Sequence, residues 1–359
     1  MPDSTHDIAR TDYCSRASLI VIAMLAASCS SDGESPVVSL RSATFGPAPI
    51  LDEAAAVPDP VAPTIRKVLI IAVDGLRADK VDNSDGKRLT IPNFERLQRD
   101  GIFVLESHQE RVPGGAYRTC PGFIQMTTGK RIAAHGVEGN GDCSEGRFRE
   151  YPIFFRRLKQ LRPDIRIAVA EPTEEVGQII LGSCGGIAQL SSCLDVVTTF
   201  DYSHAGDLAG RDRVLQWIRA GYDVVWYHPH EVDRQGHDHG WEDSETDGAV
   251  ERLDEEVLGP LLTAIDAREK QTRERWMVIV AADHGGHDRR WGTSGDHTTK
   301  ESDKKVPIIV SGSLIPDEGE RPLNAFRTWD LPATIFDFLG LTPNPSWPST
   351  DGTSILNAN

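Results

Sequence analysis

Six acidic and histidine residues in this 359-residue chain are of the types that bind divalent metal ions. They are Asp74, Asp233, His237, Asp283, His284 and His297. Carboxylate oxygen and imidazole nitrogen suit zinc or a similar divalent ion, and a single zinc site needs only three or four protein ligands. Six candidate ligands therefore indicate two metal ions rather than one.

Each of these motifs has an ordinary structural explanation when it is taken alone. An Asp-Gly pair after a strand, as at Asp74-Gly75, is usually a turn, and an Asp-His pair is usually exposed to solvent. We expect three further histidines in this part of the chain to be solvated or to hydrogen-bond behind the ligands, namely His228, His230 and His239. The case for a metal site therefore depends on the elements that bring the six candidates together.

Five apolar runs, rich in β-branched residues, predict strands that are buried on both faces of a sheet. They are Lys67–Val73, Ile165–Ala170, Asp223–Tyr227, Trp276–Ala281 and Val306–Val310. Helical patterns lie between them, at 92–100, 251–268 and 329–339. This alternation predicts an α/β fold with a mainly parallel central sheet that is sandwiched by helices.

The ligand site of an open α/β sheet lies beyond the carboxyl ends of its strands. Asp74 follows the first predicted strand, the segment 228–239 follows the third, and Asp283-His284 follows the fourth. Segments that are distant along the chain are therefore expected to converge at one edge of the sheet. This shared position makes the six candidates stronger together than each is alone.

These segments resemble the alkaline phosphatase superfamily, and they are nearest to its type I phosphodiesterase/nucleotide pyrophosphatase branch. The matching segments are VLIIAVDGLRAD (68–79), RTCPGFIQMTTGKRIAAHGVEGN (118–140), DRQGH (233–237), ADHGGH (282–287) and DHTTKESDKKVPIIVSG (296–312). The C-terminal TWDLPATIFDFLGL and DGTSIL also match, so the resemblance spans roughly residues 66–356.

The resemblance implies a hydrolase of phosphate esters, either a phosphodiesterase or a phosphomonoesterase, with two divalent metal ions, most suitably Zn²⁺. One ion would be bound by Asp233, His237 and His297, and the other by Asp74, Asp283, His284 and the oxygen of Thr119. Thr119, two residues before Pro121, would be the nucleophile and would form a covalent phospho-enzyme intermediate. The amide of Asn140 would contact a phosphoryl oxygen.

The chain departs from the pattern of this branch directly after Pro121. Gly122-Phe123 stands where the branch usually has Asn-His, which puts the local packing and the substrate contacts in question. Sulfatases of the superfamily have a Cys-x-Pro-x-Arg pattern, whereas here Cys120 is adjacent to Pro121 and the arginine is missing. We therefore expect Cys120 to be structural, and a sulfatase is the less favoured reading.

Composition excludes several classes of protein. Hydrophobic residues make up 39% of the chain and charged residues 26%, which is globular composition and not that of a largely disordered chain. The net charge of −16 argues against binding to a nucleic acid duplex, which normally needs a basic face. A small phosphorylated substrate stays possible, because bound metal ions reverse the local charge.

The N-terminal residues are typical of an export signal. The apolar run 17–27 is shorter than the roughly 20 residues that span a bilayer. Leu25–Cys29 resembles a bacterial lipoprotein cleavage box, which implies a lipid on Cys29; the alternative is an ordinary signal peptide in which Cys29 is incidental. We expect a signal at 1–29, a flexible tether at 30–64 and a catalytic domain at 65–359, in the cell envelope.

Four cysteines remain beyond the leader, and an exported chain permits disulfides between them. Pairing of Cys120 with Cys143 and of Cys184 with Cys193 is favoured because both loops are local, while buried free thiols are the alternative. The spacing lacks the CxxC pairs of a structural zinc site.

Two further expectations concern the rim of the site and the function. Residues 141–222, with 238–250, are expected to form a small cap and rim, and nothing in them identifies a substrate. The functional alternatives are a sulfatase or phosphonate hydrolase of the same superfamily, and a surface-anchored binding protein that has lost catalysis.

Overall fold

The computed structural model describes residues 64–84, 89–113, 115–172, 175–289, 294–322 and 325–357. The predicted signal peptide, Cys29 with its predicted lipid, and nearly all of the predicted tether therefore lie outside the described residues. Over the ranges that are described, every helix is too short or too polar to cross a membrane.

The described residues contain ten strands, and eight of them form one sheet in the order β10-β2-β9-β6-β1-β5-β3-β4. The eight are β1 (Ile65–Val73), β2 (Gly101–His108), β3 (Ile167–Pro172), β4 (Val196–Phe200), β5 (Val224–Tyr227), β6 (Glu274–Ala282), β9 (Lys305–Ser311) and β10 (Gly319–Glu320). β9 alone runs antiparallel to its neighbours, so the predicted, mainly parallel sheet is confirmed. β7 (His287–Asp288) and β8 (Gly295–Asp296) form a separate small hairpin.

Helices pack on both faces of the sheet. They are α1 (Pro92–Arg99), α2 (Thr119–Thr128), α3 (Ile132–His135), α4 (Phe154–Leu161), α5 (Glu175–Cys184), α6 (His204–Arg219), α7 (Glu231–His239), α8 (Ser244–Arg252), α9 (Gly259–Gln271), α10 (Glu301–Lys304) and α11 (Leu331–Phe338). A π-helical segment, Leu253–Leu258, joins α8 to α9.

The central strand β1 separates two hydrophobic cores. Its residues from Val68 to Val73 are fully buried, and alternate side chains enter opposite cores, as the twofold period of a strand requires. Val68 and Ile70 pack in the core that also contains Phe123. This double burial explains why the strand is a nearly continuous apolar run.

All five predicted strands and all three predicted helical regions are present with shifted ends. The structure adds β2, β4 and β10 to the central sheet and the separate pair β7 and β8, none of which the sequence analysis predicts. The segment 141–222, for which we predict a cap, contains β3 and β4 of the central sheet. The cap stays a prediction, and only the parts of this segment outside the two strands could form it.

Both disulfides join the pairs that the loop lengths favour, Cys120 with Cys143 and Cys184 with Cys193. The four residues are fully buried. The alternative of free thiols is therefore wrong for these residues. The first of the two bridges lies beside the candidate nucleophile.

The buried histidine His135 makes the stability of the fold depend on pH. Burial, with a smaller contribution from Arg147, lowers the pKa of His135 from 6.5 to about 4. Its Nδ1 accepts a hydrogen bond from the backbone N–H of Val137, which requires an unprotonated nitrogen. The native protein therefore contains this imidazole in its neutral form.

Because unfolded chains bind this proton below pH 6.5 and the native state only below about 4, stability is lost as the pH falls through this interval. Between pH 7 and pH 5 the loss from this group should be about 2 kcal/mol. His135→Asn, whose side-chain oxygen can accept the same hydrogen bond, should show a correspondingly shallower decrease. Urea unfolding of both proteins at several pH values measures the difference, and equal slopes would contradict the assignment.

Candidate active site

Three neighbouring parallel strands, β6, β1 and β5, end at the same edge of the sheet. Asp74 directly follows β1, Asp283 directly follows β6, and α7 begins shortly after β5. The backbone N–H of Asp74 donates to the carbonyl oxygen of Pro229, and that of Gly75 donates to Oδ1 of Asp283. The strand ends are therefore tied directly to one another.

Gly75 permits the close approach of these segments. Its φ is +68°, and a Cβ on this residue would lie 2.8 Å from the Cα and Cβ of Asp233. Real Cβ atoms do not approach other heavy atoms so closely, and L residues rarely adopt this φ. The turn after β1 thus requires glycine so that Asp233 on α7 can lie against it.

The side chains of the predicted ligands converge at this edge. Nε2 of His284 lies 3.4 Å from Oδ1 of Asp74 and 3.2 Å from Oδ2 of Asp283. Ligand atoms of Asp74, Asp283 and His284 all lie within 4.8 Å of one another, and so do those of Asp233, His284 and His297. Each of these two groups has the size and composition of a metal site.

The last of the six, His237, is on α7 one turn after Asp233, with its Nε2 3.4 Å from Oδ2 of that residue. Its ring centroid is 4.9 Å from that of His297, and the ring of His297 stacks on that of His284 with centroids 3.8 Å apart. The structure therefore brings all six predicted ligands into one cluster. It does not divide them between two metal ions, and that division stays a prediction.

The three imidazoles are oriented alike by the backbone. In His284, Nδ1 lies 2.8 Å from the carbonyl oxygen of Gly285. In His297 it lies 2.8 Å from the carbonyl oxygen of Tyr117, and in His237 it lies 3.3 Å from that of Gly295. Because a carbonyl oxygen can only accept, each Nδ1 is the protonated nitrogen and donates. Each Nε2 is then left with a lone pair facing the cluster, as a metal-binding histidine requires.

The electrostatics of the cluster also fit a cation. Burial, together with the charges of Asp74 and Asp233, raises the pKa of Asp283 well above its usual value. Burial, with neighbouring imidazoles, lowers the pKa of His284 well below its usual value. Oδ2 of Asp283 is buried and accepts no hydrogen bond from the described residues. Crowded carboxylates beside imidazoles are the donor set that a divalent metal ion stabilises.

The candidate nucleophile Thr119 is the first residue of α2 and is 5% exposed. Its Oγ1 lies 3.2 Å from Nε2 of His284 and accepts a 3.4 Å hydrogen bond from Nδ2 of Asn140. The backbone N–H of Cys120 donates to Oδ1 of Asn140, which orients the amide with its NH₂ group toward the hydroxyl. The ten-residue helix also directs the positive end of its dipole at this point, which favours an anion.

The residues that depart from the family pattern have a packing explanation. A Cβ at Gly122 would lie 2.8 Å from Cβ and from the carbonyl oxygen of Asp283, so α2 can lie against this ligand only with glycine there. The ring of Phe123 packs on that of His228, with centroids 4.2 Å apart. Gly122-Phe123 in place of Asn-His thus changes the packing behind the ligand cluster, on the side of the hydrophobic core.

Two histidines are closer to the cluster than the sequence indicates. Nε2 of His228 and Nε2 of His230 lie 3.2 Å and 3.5 Å from Oδ2 of Asp74, and His230 also lies 3.7 Å from Oδ2 of Asp233. His230 forms a third possible ligand group with these two aspartates. Their position directly after β5 was the available signal, because it is the same position that singles out Asp74 after β1.

The helix that bears Asp233 and His237 is anchored from a neighbouring helix. Both carboxylate oxygens of Asp207, on α6, accept the backbone N–H of His230, and one also accepts that of Glu231. Glu231 in turn pairs with Arg252 at 2.6 Å. These contacts satisfy the free N–H groups at the start of α7 and hold its first turn in position.

Comparisons with known proteins agree with this architecture. A family model described as type I phosphodiesterase/nucleotide pyrophosphatase matches residues 192–298, a segment that includes five of the six predicted ligands but neither Asp74 nor Thr119. No curated protein sequence matches the chain. The predicted resemblance to the type I phosphodiesterase/nucleotide pyrophosphatase branch is confirmed.

Solved structures with the same fold include murine ectonucleotide pyrophosphatase/phosphodiesterase 5. An inactive variant of that protein in complex with AMP aligns with a TM-score of 0.58 and 13% identity, covering 79% of this chain and 97% of that chain. The human protein aligns with a TM-score of 0.57, 12% identity and the same coverage. At this level of identity the likeness shows the fold alone.

The disulfide beside Thr119 should be more important for activity than the second one. We expect Cys120→Ala/Cys143→Ala to lose about 3 kcal/mol of stability. We also expect it to lose about tenfold or more in turnover, since the bridge holds the Asn140 loop against the start of α2. Cys184→Ala/Cys193→Ala is the matched control, with a similar loss of stability and turnover close to wild type. Equal effects of both double variants on turnover would show that the first bridge has no special role.

Proposed function

We propose that this chain is an exported, metal-dependent hydrolase of phosphate esters that uses Thr119 as its nucleophile. One observation carries the proposal: the Thr119 hydroxyl is 3.2 Å from Nε2 of His284, within the carboxylate–imidazole cluster and at the N-terminus of α2. The family match and the fold support the class of reaction, phosphoester hydrolysis.

Two divalent metal ions, most suitably Zn²⁺, would complete the site. Asp233, His237 and His297 would hold one ion, and Asp74, Asp283, His284 and Oγ1 of Thr119 would hold the other. Bound there, such ions lower the pKa of a coordinated hydroxyl and stabilise negative charge on a phosphoryl group.

The charge of the site supports an anionic substrate. Three aspartate carboxylates contribute −3 and two divalent ions would contribute +4, which leaves the site slightly positive before Thr119 ionises. An anionic ester would therefore be attracted locally, although the chain as a whole has a net charge of −16.

In the reaction, Oγ1 of Thr119 would form a bond to phosphorus while the bond from phosphorus to the departing alcohol oxygen breaks. The product is a phosphothreonine, which water then hydrolyses to restore the free hydroxyl and release phosphate or a phosphomonoester. Nδ2 of Asn140 would donate to a phosphoryl oxygen on which charge builds, a contribution typically worth about 3 kcal/mol.

The substrate class follows from the site and from the neighbours of the fold. A small phosphorylated molecule suits a metal site at a sheet edge, and the murine relative of similar fold is in complex with AMP. A nucleotide-like phosphomonoester or phosphodiester is therefore the favoured substrate, whereas binding of a nucleic acid duplex is not expected of so acidic a chain.

The disulfide argues against the sulfatase alternative. Sulfatases of the superfamily oxidise a cysteine at the nucleophile position, but Cys120 is bonded to Cys143 and has no free thiol to oxidise. The two disulfides also support the proposed export. The lipid on Cys29 stays part of the proposal, as the only attachment to a membrane that we expect.

A substrate panel tests the proposed function. We expect the full-length chain, supplied with Zn²⁺, to hydrolyse bis(p-nitrophenyl) phosphate or p-nitrophenyl phosphate at least about tenfold faster than p-nitrophenyl sulfate, measured by release of nitrophenolate. Phosphonate esters are included to test the phosphonate hydrolase alternative. Two bound metal ions without turnover of any ester would instead support a binding protein.

Removing the nucleophilic hydroxyl should abolish turnover without emptying the site. We expect Thr119→Ala to lose on the order of 10³-fold or more in kcat, because alanine has no hydroxyl to act as the nucleophile. Metal content, measured by elemental analysis, should largely survive. Thr119→Ser retains a hydroxyl and should keep part of the activity. Full activity in Thr119→Ala would mean that the nucleophile has been misassigned.

The ligand assignment can be tested on α7. We expect Asp233→Ala and His237→Ala each to lower the metal content from two ions per chain to about one, since each removes a ligand of the same proposed ion. His239→Ala, at an exposed position near the end of the same helix, is the control and should keep both ions. Two metal ions per chain in both Asp233→Ala and His237→Ala would contradict the ligand assignment.

A further inference from the structure

Five lysine and arginine residues are buried in the described part of the chain, and four of them have a carboxylate partner. Lys67 pairs with Asp223, Arg77 with Glu242, Lys80 with Asp247 and Lys130 with Asp351. The fifth, Arg157 on α4, is the most deeply buried, with 3% of its surface exposed, and no carboxylate of the described residues pairs with it. Buried cations are almost always paired, so this exception needs an explanation.

The guanidinium of Arg157 is also poor in hydrogen bonds. Nη2 donates a long, 3.4 Å hydrogen bond to the carbonyl oxygen of Pro348, and Nε is buried with no hydrogen-bond partner among the described residues. Burial alone lowers the pKa of this group, with no compensating charge. A guanidinium has five N–H donors, so most of its capacity is unused.

Arg157 lines a surface cleft of about 510 Å³ between α4, α11 and the segment 341–350. The other walls are largely apolar and include Phe336, Leu341 and Trp347 together with Pro343, Pro345 and Pro348. The guanidinium carbon lies 5.6 Å from the centroid of the Trp347 ring. A cleft of this volume is of the size that takes up small organic molecules.

One acidic residue, Asp337, lines the cleft among the described residues. Its Oδ2 accepts hydrogen bonds from Oγ of Ser354 at 2.5 Å and from Nδ2 of Asn357 at 2.6 Å. This carboxylate is therefore held by its own donors and does not neutralise Arg157. Its charge would weaken binding of a dianion and favours a ligand with a single negative charge.

We propose that this cleft binds a small organic anion, with its carboxylate or other singly charged oxyanion group on Arg157 and a planar apolar body against Trp347 and the prolines. A guanidinium matches a carboxylate or a similar oxyanion through two parallel hydrogen bonds. The aromatic and proline walls suit a flat apolar group. The unused donors and the unpaired positive charge are both satisfied by such a ligand.

The cleft is separate from the candidate active site. Thr350, one of its lining residues, lies against Gly129, which directly follows α2, and the backbone N–H of Asp351 donates to the carbonyl oxygen of Gly129. Thr119 is at the opposite end of this ten-residue helix, about 15 Å away at the usual rise per residue. The anion bound here is thus not the phosphate ester at the metal cluster.

Benzoate is a suitable probe, because it joins a single carboxylate to a planar ring. We expect saturable binding of benzoate to the full-length chain, measured by isothermal titration calorimetry and by the tryptophan fluorescence, and binding about tenfold or more weaker for neutral benzamide. Arg157→Gln should weaken benzoate by about tenfold or more. Arg156→Gln is the matched control on the same helix, since Arg156 donates to the carbonyl oxygen of Ser183 instead, and it should bind benzoate like wild type.

A second variant keeps the test independent of any loss of stability in Arg157→Gln. Trp347 is only half-buried, so Trp347→Leu should fold normally, and it should weaken benzoate several-fold. Inorganic phosphate tests whether the cleft binds an oxyanion without an apolar body. Binding of phosphate that depends on Arg157, without binding of benzoate, would contradict the proposal that the ligand has a planar apolar body. The absence of saturable benzoate binding, or binding equal in Arg157→Gln and wild type, would overturn the site itself.

Discussion

The burial of three carboxylates at the ends of adjacent parallel strands is the constraint on which the rest of this structure depends. Asp74 and Asp283 are fully buried and Asp233 is nearly so, and their mutual repulsion together with burial raises the pKa of Asp283. Imidazoles lie close to Asp74, with Nε2 of His228, His230 and His284 at 3.2, 3.5 and 3.4 Å from its carboxylate oxygens. Carboxylates that are buried close together repel one another in the interior of a protein, and a bound cation would stabilise them. The proposed metal ions answer this need and supply the chemistry as well.

The surrounding backbone orients the histidines of the cluster toward a bound cation. Carbonyl oxygens hold the Nδ1–H groups of His237, His284 and His297, and these carbonyls come from loops that the sheet positions independently. Glycine occurs where two segments must approach more closely than any side chain allows, as at Gly75. These contacts restrict the orientation of the ligands, which reduces the cost of ordering them when an ion binds.

The sequence predicts the centre of the sheet better than its edges. β1, β5 and β6 are buried on both faces, so their residues are almost uniformly apolar and easily recognised. β4 is an edge strand with a partly exposed pattern, and its sequence VVTTF carries a weaker signal. The π-helical segment before α9 could not be predicted either, because it reflects tertiary contacts: its Asp254 accepts the backbone N–H groups of Asn93 and Phe94 at the start of α1. At the site, the residue types and their order along the chain predict the cluster, whereas the approach of His228 and His230 depends on how the chain turns after β5.

The net charge of −16 predicts little about which ligands this chain attracts, because charge acts locally once it is buried. At the sheet edge the excess is negative and is suited to cations, which would in turn make the site attractive to a phosphate ester. At Arg157 a buried guanidinium supplies the local positive charge, while Asp337 of the same cleft is hydrogen-bonded to Ser354 and Asn357. Charges on exposed acidic residues are screened by salt over about 10 Å and contribute mainly to solubility. Two regions of opposite local charge can therefore coexist at the two ends of α2, and each would select its ligand by the groups it buries rather than by the overall composition.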